Sequence, residues 1–382
     1  MSLAKKIIIT IASLLVVIVI LNYAASYWVS QKLPSVLKDN KDFPYDISYE
    51  DLNINLFNGS FTIYNAAIAP KGNMKLQNKS GVYGQVRQIS VEHFSIWALL
   101  KKDRIDMKRI IIDTPELILY DREKKYNVDD DLVKPFKNAI ATEIISLSNG
   151  KFTMLDSVEN IKLKSGNINL EFTNIKVDST TIKDDIPAKY STYSLKCDSL
   201  FYQIDNFYRL EAKNLATTDS TLTITDFNFI PELTKLQFAK TIPKEKDQYR
   251  INVKKVTIPN LDWGYYKDTL YVHTTQATLD KVNAIIYRPK MPADDFSTKK
   301  LYSQLLRELN FDLKIDKLLL KDSFLQYEEQ TEYSKPAAKV SFSKFYATIS
   351  NIYSPVRKTK FPITKLDVQC LFMKSAPLKV DW

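Results

Sequence analysis

The chain has 382 residues and a formal net charge of +10, and 45% of its residues are apolar while 26% are charged. This composition is typical of folded proteins and excludes a disordered or collagen-like chain. With seven glycines and two histidines, the sequence offers no window for a glycine-rich phosphate loop, a dinucleotide fingerprint or a histidine-built metal centre. We therefore expect a protein that is not an enzyme and that uses neither a cofactor nor a metal.

The first feature along the chain is an uncharged, mostly apolar stretch of 23 residues, 7–29. As a helix rising 1.5 Å per residue, it is long enough to cross a bilayer core of about 30 Å. Two lysines precede it, and aromatic residues at its far end occupy the positions of an interfacial belt. The predicted membrane-interface residues are Lys5, Lys6, Tyr23, Tyr27 and Trp28.

This stretch has two interpretations. In one, residues 1–6 are a cytoplasmic tail and residues 7–29 are an uncleaved transmembrane signal anchor. In the other, the stretch is a cleaved signal peptide with Ala24-Ala25-Ser26 as its small-residue cleavage site. We favour the anchor, because the apolar run is long for a signal peptide and Tyr23 disfavours a cut after Ala25. Since no second span follows, the bulk of the chain is predicted to lie on one side of the membrane, outside the cytoplasm.

After Pro34 the apolar residues alternate with polar ones, as they do in strands with one covered face. Val, Ile, Thr, Tyr and Phe dominate these stretches, which suits a pleated surface. Helical periodicity is confined to residues 94–101, 130–145 and 297–310. These patterns predict a mostly β fold class, largely antiparallel, with a few short helices.

A recurrent unit consists of apolar-x-apolar, four residues, and apolar-x-apolar again. It occurs at residues 54–63, 110–119, 145–154, 195–204, 256–265 and 318–327. The four-residue gap often contains a turn-forming pair: Asn58-Gly59, Thr114-Pro115, Asn149-Gly150, Pro259-Asn260 or Asp322-Ser323. We interpret each unit as a strand, a tight turn and a strand, so that iterated hairpins form one long sheet.

Such a sheet has an apolar face that must be covered. A closed sandwich, in which two apolar faces meet, is favoured by the alternation pattern alone. A curled sheet with an apolar groove for acyl chains is the alternative. The candidate groove-lining residues are Ile54, Leu56, Ile110, Ile112, Val256, Ile258, Leu318 and Leu320.

Cys197 and Cys370 are too few to define a disulfide framework. Each lies in an apolar alternation, so we favour buried free thiols over a disulfide between them. The lysines are dispersed rather than clustered, so nucleic acid is not an expected partner. They are interpreted as solubilising residues, with contact to anionic lipid headgroups as the alternative.

Three segments in the first 130 residues follow a recognisable order. A strand pair at residues 49–63 precedes residues 91–100, which contain a Leu-Leu pair. Residues 110–122 follow, with Ile112, Pro115 and alternating leucines leading to Arg122, and then Asn127. This arrangement resembles the N-terminal part of the AsmA-like family of envelope proteins, which are similar to bridge-like lipid-transfer proteins.

The resemblance implies a mostly β fold: an N-terminal transmembrane helix followed by an elongated, curled antiparallel β-sheet with a hydrophobic groove. The helix would anchor the protein in the inner membrane, with its bulk in the periplasm. Residues 30–150 would be an N-terminal AsmA-like β region, and residues 151–382 a continuing repetitive sheet, which would be truncated at its C-terminus if the sequence is a piece of a longer protein. The implied function is to accommodate phospholipid acyl chains for transport between the inner and outer membranes, or for outer-membrane biogenesis and homeostasis. The alternative is an envelope scaffold that recruits protein partners through a closed, lipid-free β-sandwich.

Overall fold

The computed structural model describes residues 45–55, 58–71, 81–95, 104–120, 139–177, 181, 188–266, 269–333, 336–354 and 362–382. The predicted cytoplasmic tail, transmembrane anchor and membrane-interface residues lie outside these ranges. Within them, no helix is both long and apolar enough to cross a bilayer.

The described residues form 18 strands, all in one mixed sheet, and two short helices. The first strands are β1 (Tyr45–Ser48), β2 (Asp51–Asn55), β3 (Ser60–Pro70), β4 (Gly81–Glu92), β5 (Arg104–Tyr120), β6 (Ala139–Leu155), β7 (Ile161–Val177), β8 (Thr192–Gln203) and β9 (Tyr208–Thr218). The others are β10 (Thr221–Pro231), β11 (Gln248–Pro259), β12 (Asp262–Tyr266), β13 (Thr269–Thr274), β14 (Ala277–Pro289), β15 (Asp312–Gln330), β16 (Ala338–Tyr353), β17 (Lys365–Phe372) and β18 (Ala376–Asp381). The helices are α1 (Lys235–Thr241) and α2 (Tyr302–Arg307).

The chain divides into two compact units. Unit 1 lies within residues 1–160 and 167–193, and unit 2 within residues 161–166 and 194–382. In unit 1, β3 pairs with β1 and β2 along one edge and with β4 along the other, always antiparallel. β4 continues antiparallel to β5, and β5 lies parallel to β6.

In unit 2, β8, β9, β10 and β11 are successive antiparallel neighbours, and β11 then pairs with β14. β14 is parallel to β15, from which β16, β17 and β18 follow antiparallel. The hairpin of β12 and β13 adds a short parallel contact with β15. The sheet is therefore mixed, whereas the sequence predicted an antiparallel sheet. A parallel pair needs a crossover connection, and residues 290–311, which include α2, provide one between β14 and β15.

Many strands contain one residue with positive φ well inside the strand. They include Asn65, Thr114, Asn149, Asn214, Asp226, Lys281, Asp322 and Lys344. Asn and Asp tolerate this conformation better than other non-glycine residues, and a local excursion of this kind bends a strand. The β10–β11, β11–β14 and β14–β15 registers run past these positions without a shift, whereas the β9–β10, β15–β16 and β16–β17 registers shift there.

The hairpin interpretation is correct at one turn-forming pair and wrong at the other four. Asn58-Gly59 does form the turn between β2 and β3. Thr114-Pro115, Asn149-Gly150 and Asp322-Ser323, however, lie inside β5, β6 and β15. Each pair supplies a positive-φ residue to a strand that continues, instead of reversing the chain.

Pro259-Asn260 likewise forms no hairpin turn. It connects β11 to β12, but β12 pairs with β13, whereas β11 pairs with β10 and β14. The chain therefore leaves the main ladder at this point.

The helix predictions hold in part. The stripe at residues 297–310 contains α2, which is shorter than predicted. Residues 139–145 of the predicted helix 130–145 belong to strand β6, so that prediction is wrong there, and most of 94–101 lies outside the described residues. The sequence pattern did not indicate α1, whose N-terminus is capped reciprocally by Thr234 and Gln237 and which buries Phe238.

Candidate functional site

The strands of unit 2 have one apolar and one polar face. Directly opposed residues on neighbouring strands define an apolar row, row A, of Ile224, Val256, Leu279, Leu320, Ala347, Val368 and Val380. One residue further along each strand, side chains point to the other face. That row consists of Thr223, Thr257, Thr278, Leu319, Thr348, Asp367 and Asp381. Row A thus crosses seven strands without a polar side chain, while its counterpart contains a single apolar one.

A second apolar row lies beyond the positive-φ residues. Row B consists of Tyr202, Leu210, Phe229, Ile251, Ala284, Leu325, Phe342, Phe372 and Ala376. In a regular strand, residues an odd number apart point to opposite faces. Val253 and Val256 nevertheless belong to one packed cluster, which also includes Leu279 and Val282. The backbone conformation therefore changes between Val253 and Val256 on β11, and between Leu279 and Val282 on β14. This change returns the apolar side chains to a common face.

Unit 1 repeats this arrangement on a smaller scale. Row C consists of Ile54, Phe61, Val91, Ile110 and Ile145. Row D consists of Leu52, Ile63, Ile89, Ile112 and Leu147. The two rows are adjacent and alternate with polar positions such as Asn53, Thr62 and Ser90.

Most predicted groove-lining residues share these apolar faces within their own unit. Ile54 and Ile110 lie in row C, and Ile112 lies in row D. Val256 and Leu320 lie in row A. Two other predicted groove-lining residues are described by the structure. Ile258 packs against the cluster that contains Val256, and Leu318 opposes Ala277 and Ile349. Leu56 lies outside the described residues.

The apolar rows are only partly covered. In rows C and D, Val91 alone is buried and the other nine side chains are half-buried. In row A, the small residues Val256, Ala347 and Val368 are buried, while row B has no buried member. Both packed clusters of unit 2 draw their members from adjacent strands, β10, β11, β14 and β15 in one and β15, β16 and β17 in the other. Each cluster is thus formed within a single layer of sheet.

Helix α1 packs against the opposite, polar side of unit 2. Lys235 forms an ion pair with the buried carboxylate of Glu328, and its ammonium lies 5.3 Å from the centre of the Tyr287 ring. The Gln248 amide donates to the Leu233 carbonyl at 2.8 Å. These contacts involve a row of directly opposed residues on β11, β14 and β15, namely Gln248, Tyr287 and Glu328. The row is one residue along each strand from Tyr249, Ile286 and Tyr327 on the apolar face, so it points to the opposite face. Helix α2 buries no residue of its own.

The apolar face of unit 2 ends in tyrosines and then charges. Tyr249, Ile286, Tyr327 and Val340 form the next row. Beyond it, Arg288 donates to both Asp247 carboxylate oxygens at 2.6 and 2.9 Å, and these bonds raise the pKa of Arg288. The Tyr249 hydroxyl donates to Asp247 at 3.3 Å, and the Tyr327 hydroxyl to Glu329 at 3.0 Å. Burial raises the pKa of both tyrosines, so their hydroxyls are protonated donors at neutral pH.

This gradient from aliphatic residues through tyrosine to ion pairs places amphipathic side chains where an apolar surface meets water. Sequence reasoning did not find it. The available signal was a tyrosine or charge at alternate positions near the ends of β11, β14 and β15, which becomes a row only when the strand register is known.

The described residues show no other constellation with evident chemistry. Within them, no three His, Cys, Asp or Glu side chains lie together as metal ligands. Cys197 and Cys370 are buried free thiols, and burial raises the pKa of Cys370. Within the described residues, the apolar faces and their rims are each built by several strands together.

No protein-family model and no curated protein matches this chain. The resemblance to the AsmA-like family stays a prediction from the motifs of the first 130 residues.

Proposed function

We propose that this protein is a non-enzymatic lipid-handling protein of the AsmA-like type, which accommodates phospholipid acyl chains on its apolar β-face. The observation that carries the proposal is the partly exposed, continuous apolar rows of a single-layer sheet. In a sandwich these side chains would be buried against a second layer. Here the packed clusters lie within one layer, and the helix that buries a residue lies against the other face.

The physical basis is removal of methylene groups from water. Each buried methylene contributes about 0.8 kcal/mol, so covering ten of them contributes about 8 kcal/mol without any specific polar contact. Because rows A and B contain no charged side chain, a bound chain meets no strong local minimum as it moves from strand to strand. Transport along such a face is passive sliding, with the headgroup in water.

The positive-φ residues support a concave form of this face. They occur inside neighbouring strands and bring apolar residues on both sides of the bend to the same face. A sheet in which most strands bend in this way would curl, and curling around the apolar side would shield acyl chains better than a flat sheet does.

The cellular setting follows from the N-terminal sequence. We place residues 7–29 in the inner membrane as a single-pass anchor and the β region in the periplasm. The protein would then hold its apolar face between the inner and outer membranes and contribute to phospholipid transport and outer-membrane homeostasis. Partner proteins of the envelope would complete the path.

The test compares co-purifying lipid in charged variants with matched controls. Ile258→Asp and Ile112→Asp place a carboxylate on the apolar face of each unit, and Thr257→Asp and Ser90→Asp place one on the opposite face. The full chains are purified in the same detergent, and phospholipid in organic extracts is quantified by mass spectrometry. We expect the apolar-face variants to lose lipid severalfold relative to their controls, because burying a carboxylate among acyl chains is costly.

Equal lipid in all four variants and the parent would rule out the apolar face as the binding surface. Absence of lipid from the folded parent would favour the scaffold alternative.

A further inference from the structure

The connection between β14 and β15, residues 290–311, runs along one face of unit 2. Because it links parallel neighbours, it must return from the end of β14 to the start of β15. The 19 residues of β15 span about 60 Å at a rise of about 3.3 Å per residue. With the six residues of α2 helical and the others fully extended, the connection reaches about 65 Å. It therefore has too little slack to pass around an edge of the sheet.

Backbone hydrogen bonds show which face the viewer sees when β14 and β15 run upward with β15 on the right. Lys290 donates its N–H to the Gln330 carbonyl at 2.8 Å, so its backbone polar groups point toward β15. In an upward strand of L-residues, a residue whose N–H and C=O point to the right directs its side chain toward the viewer. The side chain of Lys290, and with it that of Arg288 two residues earlier, therefore faces this viewer. Arg288 belongs to the rim of the apolar face.

Strand β17 gives the same result independently. In the same view β16 lies to the right of β15 and runs downward, and β17 runs upward with β18 on its right. Leu366 of β17 exchanges two backbone hydrogen bonds with Trp382, at 2.7 and 2.8 Å, so its backbone groups point right and its side chain faces the viewer. Leu366 packs against the cluster that contains Val368 of row A. The viewer is therefore looking at the apolar face.

The handedness of the connection then decides its position. Connections between parallel neighbours in one sheet are right-handed in about 98% of cases. In a right-handed connection the second strand lies to the right of the first when the connection passes in front of the sheet. Since β15 lies to the right of β14 only when the apolar face is in front, this rule puts residues 290–311 across the apolar face.

The connection carries an apolar stripe of its own. On a helix that extends α2 by its flanking residues, the apolar side chains fall within an arc of about 140°. They are Leu301, Tyr302, Leu305, Leu306 and Leu309, and the other side carries Ser303, Gln304, Arg307 and Glu308. None of the stripe is buried, and Leu301 and Leu305 are 68% and 51% exposed. An amphipathic segment normally buries such a stripe against the surface that it crosses.

We propose that residues 290–311 form a strap over the apolar face of unit 2 and that an acyl chain is held between the strap and the sheet. This inference rests on the proposed function and adds a second wall to the same site. Both walls are apolar and neither is covered by the other, which leaves room for an apolar guest. An acyl chain fits this space because it has no polar group to desolvate, whereas a polypeptide would need partners for its backbone N–H and C=O groups.

The strap changes how a bound lipid leaves. On an open face an acyl chain could lift off sideways at any point. Under the strap of unit 2 it leaves by sliding lengthwise or when the strap moves away, so the strap slows exchange.

Chemical crosslinking tests the position of the strap without lipid. Counting back from Asp312, four extended residues and three helical ones bring Leu305 about 18 Å along β15, beside Leu318. Leu318 lies on the face of row A, whereas Leu319 points to the opposite face. Leu305→Cys is combined with Leu318→Cys or, as the matched control, with Leu319→Cys. The full-length background has both native cysteines, Cys197 and Cys370, replaced by alanine.

A flexible bifunctional maleimide with a reach above the roughly 10 Å between packed layers is added, and the linked peptides are identified by mass spectrometry. We expect an intramolecular crosslink from Leu305→Cys to Leu318→Cys and only background to Leu319→Cys. Equal crosslinking of the two pairs, or none to Leu318→Cys, would overturn the proposal.

Lipid release tests the role of the stripe. Leu305→Asp places a carboxylate on the stripe, and Ser303→Asp places one on the polar side of the same helix. Full chains in one detergent are loaded with fluorescent phosphatidylcholine and chased with unlabelled lipid. We expect Leu305→Asp to release the label about tenfold faster than the parent, and Ser303→Asp to release it at the parental rate.

The two experiments separate this inference from the proposed function. Equal release from both variants, with a parent that loads lipid, would overturn the strap and leave the proposed function standing. A parent that takes up no lipid would overturn the proposed function and the role of the strap together, while the crosslink would still report where the connection lies.

Discussion

Tyr353 shows how burial and one neighbour set the chemistry of a single side chain. Its hydroxyl donates to Asp316 at 2.6 Å, and burial together with this carboxylate raises the pKa of Tyr353 to about 12. The unfolded chain loses the same proton near pH 10. Because the folded-state pKa is the higher one, its contribution to stability is complete below pH 10 and is lost as pH rises toward 12.

We therefore expect Tyr353→Phe to reduce the alkaline loss of stability. Denaturant unfolding should show a cost of about 1 kcal/mol at pH 7, from the lost hydrogen bond. The difference from the parent should shrink between pH 10 and 12. Tyr346→Phe, at an exposed position, serves as the control. A difference that is constant with pH would contradict the assignment.

Glu328 is a buried carboxylate held by its partners. Burial acts to raise the pKa of Glu328, but the ion pair with Lys235 and the hydrogen bond from Gln326 outweigh it and lower the pKa overall. Since the folded-state pKa is the lower one, the contribution to stability is present above the unfolded value and is lost as pH falls through the folded one. The ion pair also attaches α1 to β15.

Lys235→Met should therefore destabilise unit 2 by about 2 kcal/mol at pH 7, because it leaves a poorly compensated buried charge. The double variant Lys235→Met with Glu328→Met should recover most of this loss, since both charges are removed together. Chemical denaturation of the three proteins at pH 7 measures the effect. A double variant less stable than Lys235→Met would show that the carboxylate itself, rather than its pairing, is needed.

At the scale of elements, the informative feature is the positive-φ residue inside a long strand. Lys281 in β14 has φ of 52° and lies between Leu279 and Val282, which share one packed cluster. A β-branched side chain is strongly disfavoured in this conformation, whereas glycine adopts it without strain.

Lys281→Val should cost about 1–3 kcal/mol in unfolding free energy, while Lys281→Gly should be close to neutral. Lys255→Val, on the neighbouring β11 where φ is not positive, is the matched control and should change stability by less than about 0.5 kcal/mol. If valine is tolerated equally at both positions, the bend does not depend on this residue.

The same feature explains why the hairpin prediction was largely wrong. Pairs such as Asn149-Gly150 have the composition of a turn because they must provide positive φ. Local sequence does not distinguish a turn that reverses the chain from a bend inside a strand. The distinction depends on whether neighbouring strands extend past that point and pair on both sides of it, as β5 does with β6.

At the scale of the molecule, the two units share a design in which one face of a single-layer sheet is apolar and partly exposed. A bound acyl chain would cover this face and stabilise the folded state by mass action, by about 2.7 kcal/mol at a ligand concentration one hundred times the dissociation constant. We expect thermal unfolding of the full chain in detergent to shift upward when phospholipid is added. Thr257→Asp should keep the shift and Ile258→Asp should lose most of it. An identical shift in both variants would indicate a general detergent effect.

The sequence by itself determined the strand content and the apolar set. Period-two alternation predicted the strands because each side chain must face either an apolar layer or water, and this choice is local. For this reason Ile110, Ile112, Val256 and Ile258 were identified before any strand partner was known. The tail and the anchor rest on the sequence alone.

Only the tertiary structure decided which strands are neighbours, and several features follow from that order. Three features depend on contacts between residues far apart in the chain. They are the parallel pairing of β14 with β15, the rim of tyrosines and ion pairs beyond row B, and the position of α1 on the polar face. Strand register is set by backbone hydrogen bonds, which every residue except proline forms in the same way. The sequence pattern therefore predicts which side of a strand is apolar, but not which other strand continues that side.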